Sequence, residues 1–449
     1  MTQTKSYEMK DSRVEWIREI PKHWNVLKLK YSSWLKGRIG WQGLKSTEYT
    51  DEGPYLITGT DFDNGHINWN SCAHISEERY LEDSDIHIKE NDLLITKDGT
   101  IGKVAIARNC PPMVSLNSGV MLIRNTKRFK YFDKYLYYIL LSDLFLTWYE
   151  FSQNGASTIR HLYQEQFYNF SYSFPPLPEQ EAIASYLDEK CGAIDTLIAE
   201  AKTTIEEYKA WKASVIFEAV TKGLDPNVEM KDSGVEWMGE IPKHWSCIPM
   251  KFMLNERNQK NDPVVTSERL SLSIDIGVTL YAEKTTNLDR FKDDVSQYKV
   301  AHAGDLVLNS MNMIVGAVGI APILGCVSPA YYVFYDNDDN HTVTRYCDYI
   351  FKNKRLRGCL FSLGQGIMAI DRGDGRINTC RLKVSRDDLG RIMLPCPPFE
   401  EQRRIISFLD KQCAVIDGII AEKQTLINDL ETYKKSLIYE TVTGKRRVC

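Results

Sequence analysis

A repeated Pro-Lys-His-Trp tetrapeptide places a histidine where catalysis has to be considered. His23 lies in the first copy and His244 in the second. A catalytic histidine works with a nucleophile or a carboxylate, and neither tetrapeptide contains one. We therefore interpret each copy as a rigid turn, in which proline restricts the backbone and tryptophan supplies an apolar anchor.

Three other stretches match motifs of catalysis or phosphate binding only in part. Cys396-Pro-Pro-Phe399 has cysteine where the comparable loop of amino-methyltransferases has Asn or Asp, the residue that hydrogen-bonds the target amine. Gly99–Lys103 lacks the P-loop spacing. Asp188-Glu-Lys190 could be matched to a nuclease, but it falls on a predicted coiled-coil helix, where we expect a solvated face. The sequence predicts no catalytic residue. It also contains no metal motif, because its cysteines have no C-x-x-C spacing.

Polar and basic side chains on predicted loops are candidates for contacts with DNA, because such side chains bind base edges and phosphates. The candidates are Lys97, Thr100, Lys103, Ser157, Arg160, His161, Asn309, Gln365, Arg372 and Arg376. Residues 345–391 contain 11 basic and 5 acidic residues, a local excess of 6 that the net charge of −4 conceals. The first half has no comparable excess. Any one of these side chains could also belong to an ordinary surface.

Two long helical segments must position these loops. Residues 179–222 contain no proline, and their apolar residues include Leu187, Ile194, Ile198 and Ile205. Steps of three, four and seven keep such residues on one stripe, which predicts a coiled coil about 60 Å long. Residues 401–444 repeat the stripe at an offset of 222, through Leu409, Ile416, Ile420 and Ile427. We expect these eight residues to form the helix–helix core.

The whole chain is duplicated. Residues 10–24 and 231–245 are identical at 12 of 15 positions. In each half a block of predicted strands and helices follows, and a proline run then starts the long helix. Within the blocks we predict a strand–turn–strand at 92–107 and at 304–321, and a helix at 131–149 and at 345–363. The blocks align poorly, so the repeated frame performs one task twice and the blocks perform two different tasks. The order also predicts that the N-terminal motif packs near the C-terminus.

Length and composition limit the class of protein. The chain has 449 residues, of which 43% are hydrophobic and 26% charged, as in ordinary soluble proteins. No apolar run is long enough to span a membrane, and the N-terminus has no apolar signal core. We therefore expect a cytoplasmic protein without membrane contact, whose 11 cysteines are mostly free thiols in the core.

The chain resembles the specificity subunits of type I restriction–modification systems, the HsdS family. The resemblance rests on the repeated VEW-x-x-EIPKHW, on the PPLPEQ and PPFEEQ entries to the long helices, and on the duplicated ENDLL and AGDL strands. It covers nearly the whole length. It implies an α+β fold in which two mixed α/β target-recognition domains are separated by two long antiparallel coiled-coil helices, with an internal pseudo-two-fold repeat.

The resemblance also assigns the parts of the chain. Residues 1–178 would form the first target-recognition domain with its VEW/PKHW motif, and 179–222 the central long helix. Residues 223–230 would be a linker, 231–400 the second domain, and 401–449 the C-terminal long helix. Such subunits recognise a bipartite, asymmetric double-stranded DNA site. They bind two methyltransferase (HsdM) subunits and two restriction/translocase (HsdR) subunits. They hold no cofactor; S-adenosylmethionine and ATP with Mg belong to the partners.

The residues supply physical reasons for the same function. A duplicated frame lets two like partners dock equivalently, diverged blocks contact two different half-sites, and a stiff helix pair makes the spacer a matter of helix length. Two other functions remain open. The chain could be the recognition part of a fused restriction–methylation enzyme, in which case it would transfer methyl groups alone. It could instead be a coiled-coil adaptor without a DNA role, which would show no sequence-selective binding.

Overall fold

A computed structural model describes residues 7–38, 43–126, 128–153, 161–274, 276–284, 294–337, 341–367 and 381–448. The predicted sites Ser157, Arg160, Arg372 and Arg376 lie outside these ranges. The chain forms two compact units. Unit 1 consists of residues 1–201 with 425–449, and unit 2 consists of residues 202–424. None of the helices within the described ranges has an apolar stretch that could cross a lipid bilayer.

Unit 1 is built around small antiparallel sheets with helices beside them. Its strands are β1 Met9–Asp11, β2 Glu19–Pro21, β3 Asn25–Lys28, β4 Ser33–Gly37, β5 Thr50–Ile57, β6 Phe62–Asp63, β7 His66–Ile67, β8 Ala73–His74, β9 Leu93–Thr96, β10 Val104–Ile106, β11 Val114–Leu116, β12 Val120–Asn125 and β13 Ser171–Phe174. Its helices are α1 Leu29–Ser32, α2 Glu77–Leu81, α3 Asp133–Leu141, α4 Asp143–Ser152, α5 Gln164–Phe167 and the first part of α6 Leu177–Lys222.

The main sheet of unit 1 has the strand order β10-β9-β12-β4, and all its pairs are antiparallel. A second sheet, β11-β5-β8, contains the parallel pair of β11 and β5. Leu94 and Leu122 of the first sheet and Ile57 and Leu116 of the second are fully buried in one core. Every residue of β9 and β11 is buried because this core and the neighbouring elements cover both faces of these strands.

Unit 2 repeats this plan. Its strands are β14 Met230–Asp232, β15 Glu240–Pro242, β16 Ser246–Pro249, β17 Asn255–Glu256, β18 Leu270–Ser273, β19 Gly277–Leu280, β20 Lys299–Ala301, β21 Leu306–Asn309, β22 Val318–Ile320, β23 Gly325–Val327, β24 Tyr331–Tyr335, β25 Gln365–Ile367, β26 Arg381–Lys383 and β27 Met393–Cys396. Its helices are α7 Tyr281–Lys284, α8 Thr342–Phe351, α9 Lys354–Ser362, α10 Arg386–Arg391 and the first part of α11 Phe399–Val442, together with the end of α6.

The main sheet of unit 2 has the order β22-β21-β24-β17, which matches β10-β9-β12-β4 strand for strand. Pairing of β16 with β27 likewise matches pairing of β3 with β13. The two blocks therefore share a topology although their sequences align poorly. The predicted strand–turn–strand units are confirmed as β9–β10 and β21–β22, both antiparallel.

The single helix predicted in each block is wrong, because each is broken into two. Ser142 separates α3 from α4 with an extended backbone, φ −79° and ψ 161°. Asn353 separates α8 from α9, and its side chain accepts a hydrogen bond from the Arg355 N–H. Asn353 therefore caps the start of α9 with its side chain, whereas Ser142 makes no side-chain cap and interrupts the helix by its extended backbone. Periodicity alone did not reveal these breaks.

The two long helices contribute to both units, and each helix starts directly after its proline run. In unit 1 the helices lie side by side, and Lys434 Nζ of α11 binds Asp195 Oδ1 of α6 at 2.6 Å. In unit 2 the corresponding pair is reversed, with Lys212 Nζ of α6 at 2.6 Å from Asp417 Oδ2 of α11. A second contact in each unit gives the direction. In unit 1, Tyr186 bonds Arg446, just after α11, while Asp195 binds Lys434. In unit 2, Gly223 lies beside Glu401 while Lys212 binds Asp417, so the helices are antiparallel within each unit.

Candidate nucleic-acid interface

The turn between β9 and β10 brings four of the predicted contact residues together in unit 1. Thr96, at the end of β9, closes the turn: its hydroxyl donates to the Thr100 carbonyl at 2.6 Å and accepts from the Lys103 N–H at 2.9 Å. Thr100 and Lys103 are exposed. The Leu162 N–H donates to the Lys97 carbonyl at 2.9 Å, which brings His161 beside the turn.

The polar groups of this turn differ in how they are held. His161 Nδ1 contacts the Asp98 carboxylate, and the His161 ring lies 4.5 Å from the ring of Tyr163 between centroids. Lys97 is only half exposed, and burial lowers the pKa of its ammonium, an effect that the Asp98 charge opposes. Lys103, by contrast, extends to solvent. Of the two lysines, Lys103 is the one that a ligand can reach without displacing protein contacts.

The turn between β21 and β22 is the equivalent element of unit 2. The Asn309 N–H donates to the Ala317 carbonyl at 3.1 Å, as the Thr96 N–H donates to the Lys103 carbonyl. The Val384 N–H donates to the Ser310 carbonyl at 3.1 Å, as Leu162 does to Lys97. A short 3-10 turn, Met313–Val315, fills the loop. The same backbone pattern therefore presents different side chains in the two units.

Asn309 was predicted to contact DNA, but its side chain is bonded within the protein. Its side chain is buried, and its Oδ1 accepts from the Met311 N–H at 3.1 Å. Asn309 thus stabilises the turn of unit 2, and Thr96 does so at the equivalent position of unit 1. Exposed side chains of this turn are instead Met311, Asn312 and Val315.

Gln365 is exposed on β25, opposite the exposed Lys383 of β26. Strand β26 leads directly to Val384, so this hairpin lies beside the β21–β22 turn. The basic residues between 345 and 357 mostly have partners within the unit. Lys352 binds Asp348 at 2.6 Å, the Arg355 guanidinium lies 4.3 Å from the Phe217 ring centroid, and Arg357 donates to the Val315 carbonyl at 2.8 Å. The local excess of positive charge therefore overstates what is available to a ligand.

The repeated Pro-Lys-His-Trp motif binds the first turn of each long helix. In unit 1, His23 Nε2 and Trp24 Nε1 each lie 2.8 Å from an oxygen of Glu179. In unit 2, His244 Nε2 lies 2.8 Å from Glu401 Oε2. The anchoring role is as predicted, but the carboxylate comes from the distant proline–glutamate entry. A negative carboxylate is favourable at the start of a helix, because the unpaired N–H groups give that end a partial positive charge.

A second repeated carboxylate joins each block to its helix. Asp188 accepts from the Tyr138 hydroxyl at 2.8 Å and also contacts Lys134. Asp410 accepts from the Tyr349 hydroxyl at 2.6 Å and from Arg345 at 2.5 Å. Asp188 is half-buried and makes a structural contact, so the predicted solvated face is wrong at this residue. The duplicated Leu-Asp spacing was the sequence signal for this joint, although the tyrosines were not singled out.

Seven of the eight residues predicted for the helix–helix core are buried, namely Leu187, Ile194, Ile198, Ile205, Leu409, Ile416 and Ile427. Ile420 is half-buried. Free thiols accompany them: burial raises the pKa of Cys191 to about 11 and also raises that of Cys413. Thiols with raised pKa values are poor nucleophiles at neutral pH. Among the described residues, no group of His, Cys, Asp and Glu side chains is arranged to hold a metal ion.

The N-terminal motif packs against the C-terminus, as predicted. Gly444 has φ +74°, and a Cβ there would lie 2.4 Å from Pro21 Cδ. Gly223 of unit 2 has φ +77°, and a Cβ there would lie 3.2 Å from the Trp245 ring. Glycine ends both helices because the left-handed backbone and the close approach exclude a side chain.

Comparison with known proteins identifies this architecture. Residues 42–207 match the family model described as type I restriction modification DNA specificity domain. Two curated relatives come from Methanocaldococcus jannaschii. The putative type I restriction enzyme MjaX specificity subunit is 25% identical over 447 residues, covering 96% of each chain. The type I restriction enzyme MjaVIII specificity subunit is 25% identical over 445 residues, covering 96% of this chain and 94% of the relative.

A solved structure shares the fold. It is described as the structural basis underlying complex assembly and conformational transition of the type I R-M system. Its matching chain has a TM-score of 0.65 and 14% identity, covering 94% of this chain and 98% of that one. The family model covers residues 42–207, and the two relatives cover 96% of the chain at 25% identity. The chain is therefore similar to the specificity subunits of type I restriction–modification systems.

Proposed function

We propose that this chain is a specificity subunit that recognises a bipartite, asymmetric DNA site, with one half-site for each unit. The observation that carries the proposal is the pair of equivalent turns. Lys97, Thr100 and Lys103 surround one turn, whereas Met311, Asn312 and Val315 are presented by the other. One frame with two different contact surfaces suits a site whose halves differ in sequence.

Specificity subunits act together with methyltransferase and restriction subunits. For this chain we infer two of each, because the frame that would receive them occurs twice. Glu179 and Glu401 bind the repeated motifs, and Asp188 and Asp410 join each block to its helix, in the same way in both units. This repetition supports equivalent docking of two like partners. S-adenosylmethionine and ATP with Mg would be bound by those partners, in the cytoplasm where the DNA is.

The proposed mechanism is delivery. The subunit binds double-stranded DNA and positions a partner methyltransferase over an adenine in each half-site. Base flipping and methyl transfer then take place in the partner. Phosphate contacts would fix the position on the duplex and base-edge contacts the sequence. Lys97, Thr100, Lys103, His161 and Gln365 are the proposed contacts within the described residues. Ser157, Arg160, Arg372 and Arg376 remain predictions on sequence grounds.

The test is to express the chain with the methyltransferase of its own system and to sequence the cellular DNA by a single-molecule method. The expected result is methylated adenine on both strands of one split motif. A stable complex without a motif would contradict DNA recognition and favour the adaptor function. Methylation by the purified chain alone would instead favour the fused enzyme.

A further inference from the structure

The β9–β10 and β21–β22 turns occupy the same place in two matching sheets. Each turn follows an inner strand of its four-stranded sheet, β9 or β21. Each turn also accepts one backbone hydrogen bond from a later part of the chain. The Leu162 N–H donates to the Lys97 carbonyl, and the Val384 N–H donates to the Ser310 carbonyl. This correspondence does not depend on sequence similarity. A feature that one turn contributes to DNA binding is therefore expected at the same position in the other unit.

The exposed chemistry of the two turns is different. Residues 97–103 contain two lysines and one aspartate, whereas residues 310–317 contain no charged residue. In the first turn Lys103 and Thr100 face solvent. In the second, Met311 is 37% exposed and Val315 is 45% exposed, with Asn312 also at the surface. The second turn therefore presents an apolar and uncharged surface where the first presents lysine and threonine.

The exposed side chains of the two turns suit different base pairs. The guanine edge in the major groove offers two acceptors, O6 and N7, which suit a lysine ammonium. An A·T base pair offers the thymine methyl group, which suits apolar side chains. Its adenine also offers the N6 donor and the N7 acceptor, which together suit an Asn amide. We propose that the two turns are the corresponding base-contacting elements of the units. The first selects a G·C pair through Lys103, and the second selects an A·T pair through Met311 and Asn312.

This inference rests on the proposed function, and its test separates the two. Once the methylated motif of the unmodified chain is known, the purified complex is competed with duplexes in which one base pair of the motif is changed. If the unmodified chain produces no motif, the proposed function itself fails. If it produces one, the variants below decide the assignment of the turns.

Lys103→Met removes the ammonium but keeps the length of the side chain. Its control is Lys89→Met, an exposed lysine on the segment that leads into the opposite end of β9. Met311→Gln makes the second turn polar. Its control is Leu324→Gln, which is 39% exposed in the loop at the opposite end of β22. All four variants must purify with the methyltransferase and melt like the unmodified chain.

We expect Lys103→Met to lower discrimination at one G·C position about tenfold or more, the size of one lost base-edge contact. Met311→Gln should do the same at an A·T position in the other half-site, and both controls should leave the motif unchanged. Unchanged discrimination, or relaxation of the same half-site by both variants, would overturn the assignment. Equal weakening on every duplex would also overturn it, because that result indicates a phosphate contact only.

Discussion

At the scale of residues, the polar side chains of the repeated motifs mainly position helices. Trp24 is almost fully buried, and its indole N–H donates to Glu179. The sequence indicated an anchored turn, but it could not indicate the partner, because 155 residues separate the two. Asn309 illustrates the opposite case. Its type suggested a base contact, whereas its position at the end of a buried strand makes it part of a turn.

Replacing Glu179 with alanine should lower the free energy of unfolding by about 1.5–3 kcal/mol, because hydrogen bonds to a charged group are of this size and a buried indole N–H loses its partner. Urea denaturation of the purified chain measures the change. Glu181→Ala is the control, since Glu181 is exposed two residues further along the same helix. Equal effects of the two substitutions would show that the contact between Glu179 and Trp24 contributes nothing.

The start of α3 gives a pH-dependent prediction. Burial raises the pKa of Asp133 to about 6, and the neighbouring Asp92 charge adds to the effect. An unfolded aspartate titrates near about 3.9. Between these values the folded chain binds more protons, so this group makes stability fall as pH rises from about 4 to 6. Asp133→Asn should remove that decline. Urea midpoints across this range measure it, with the exposed Asp143→Asn as control; parallel pH profiles for Asp133→Asn and the unmodified chain would contradict it.

At the scale of elements, the long helices were predictable and the sheets were not. A stripe of apolar residues repeats locally, so α6 and α11 were expected within two residues of their observed ends. Sheets such as β10-β9-β12-β4 join strands from distant parts of the chain, and their order is set by packing that no local pattern records. The breaks at Ser142 and Asn353 belong to the same class of tertiary effects.

Truncation at the helix core should be costly. Leu187→Ala removes a fully buried side chain, and we expect a loss of about 2–5 kcal/mol in the free energy of unfolding. Leu197→Ala on the same helix is the matched control, because Leu197 is 51% exposed. Urea denaturation should separate the two by at least about 1 kcal/mol. Equal losses would mean that the stripe through Leu187 is not the helix–helix core.

At the scale of the whole molecule, the duplication was visible in sequence because the frame residues make the same contacts twice. The blocks diverged where their surfaces differ. The matching strand–turn–strand units could be predicted, but which side chains of the two turns are exposed could not. Unit 1 is also discontinuous along the chain. The Val442 carbonyl accepts from the Tyr135 hydroxyl at 3.2 Å and from Ser173 at 2.5 Å.

Removing residues 425–449 should therefore loosen unit 1. Backbone amides around Tyr135 and Ser173 should exchange faster with deuterium, because the buried Val442 and the Lys434–Asp195 pair are lost. A separate peptide of residues 425–449 should restore their protection. A peptide in which Val442 is replaced by aspartate is the control, since a charge cannot enter that site without cost. Unchanged exchange after the deletion would contradict this account.

The closure of Gly444 on Pro21 has a consequence for how the chain can be cut. Gly223 makes the same junction inside the chain, where residues 223–230 continue from the helix into the next motif. Arg447 already lies 5.0 Å from the Tyr7 ring centroid, so the two ends are neighbours. The junction of Gly444 with Pro21 and the junction of Gly223 with Trp245 are therefore equivalent contacts between the end of a long helix and a repeated motif. A chain opened at 223–230 and sealed between 7 and 448 would keep every frame contact described above.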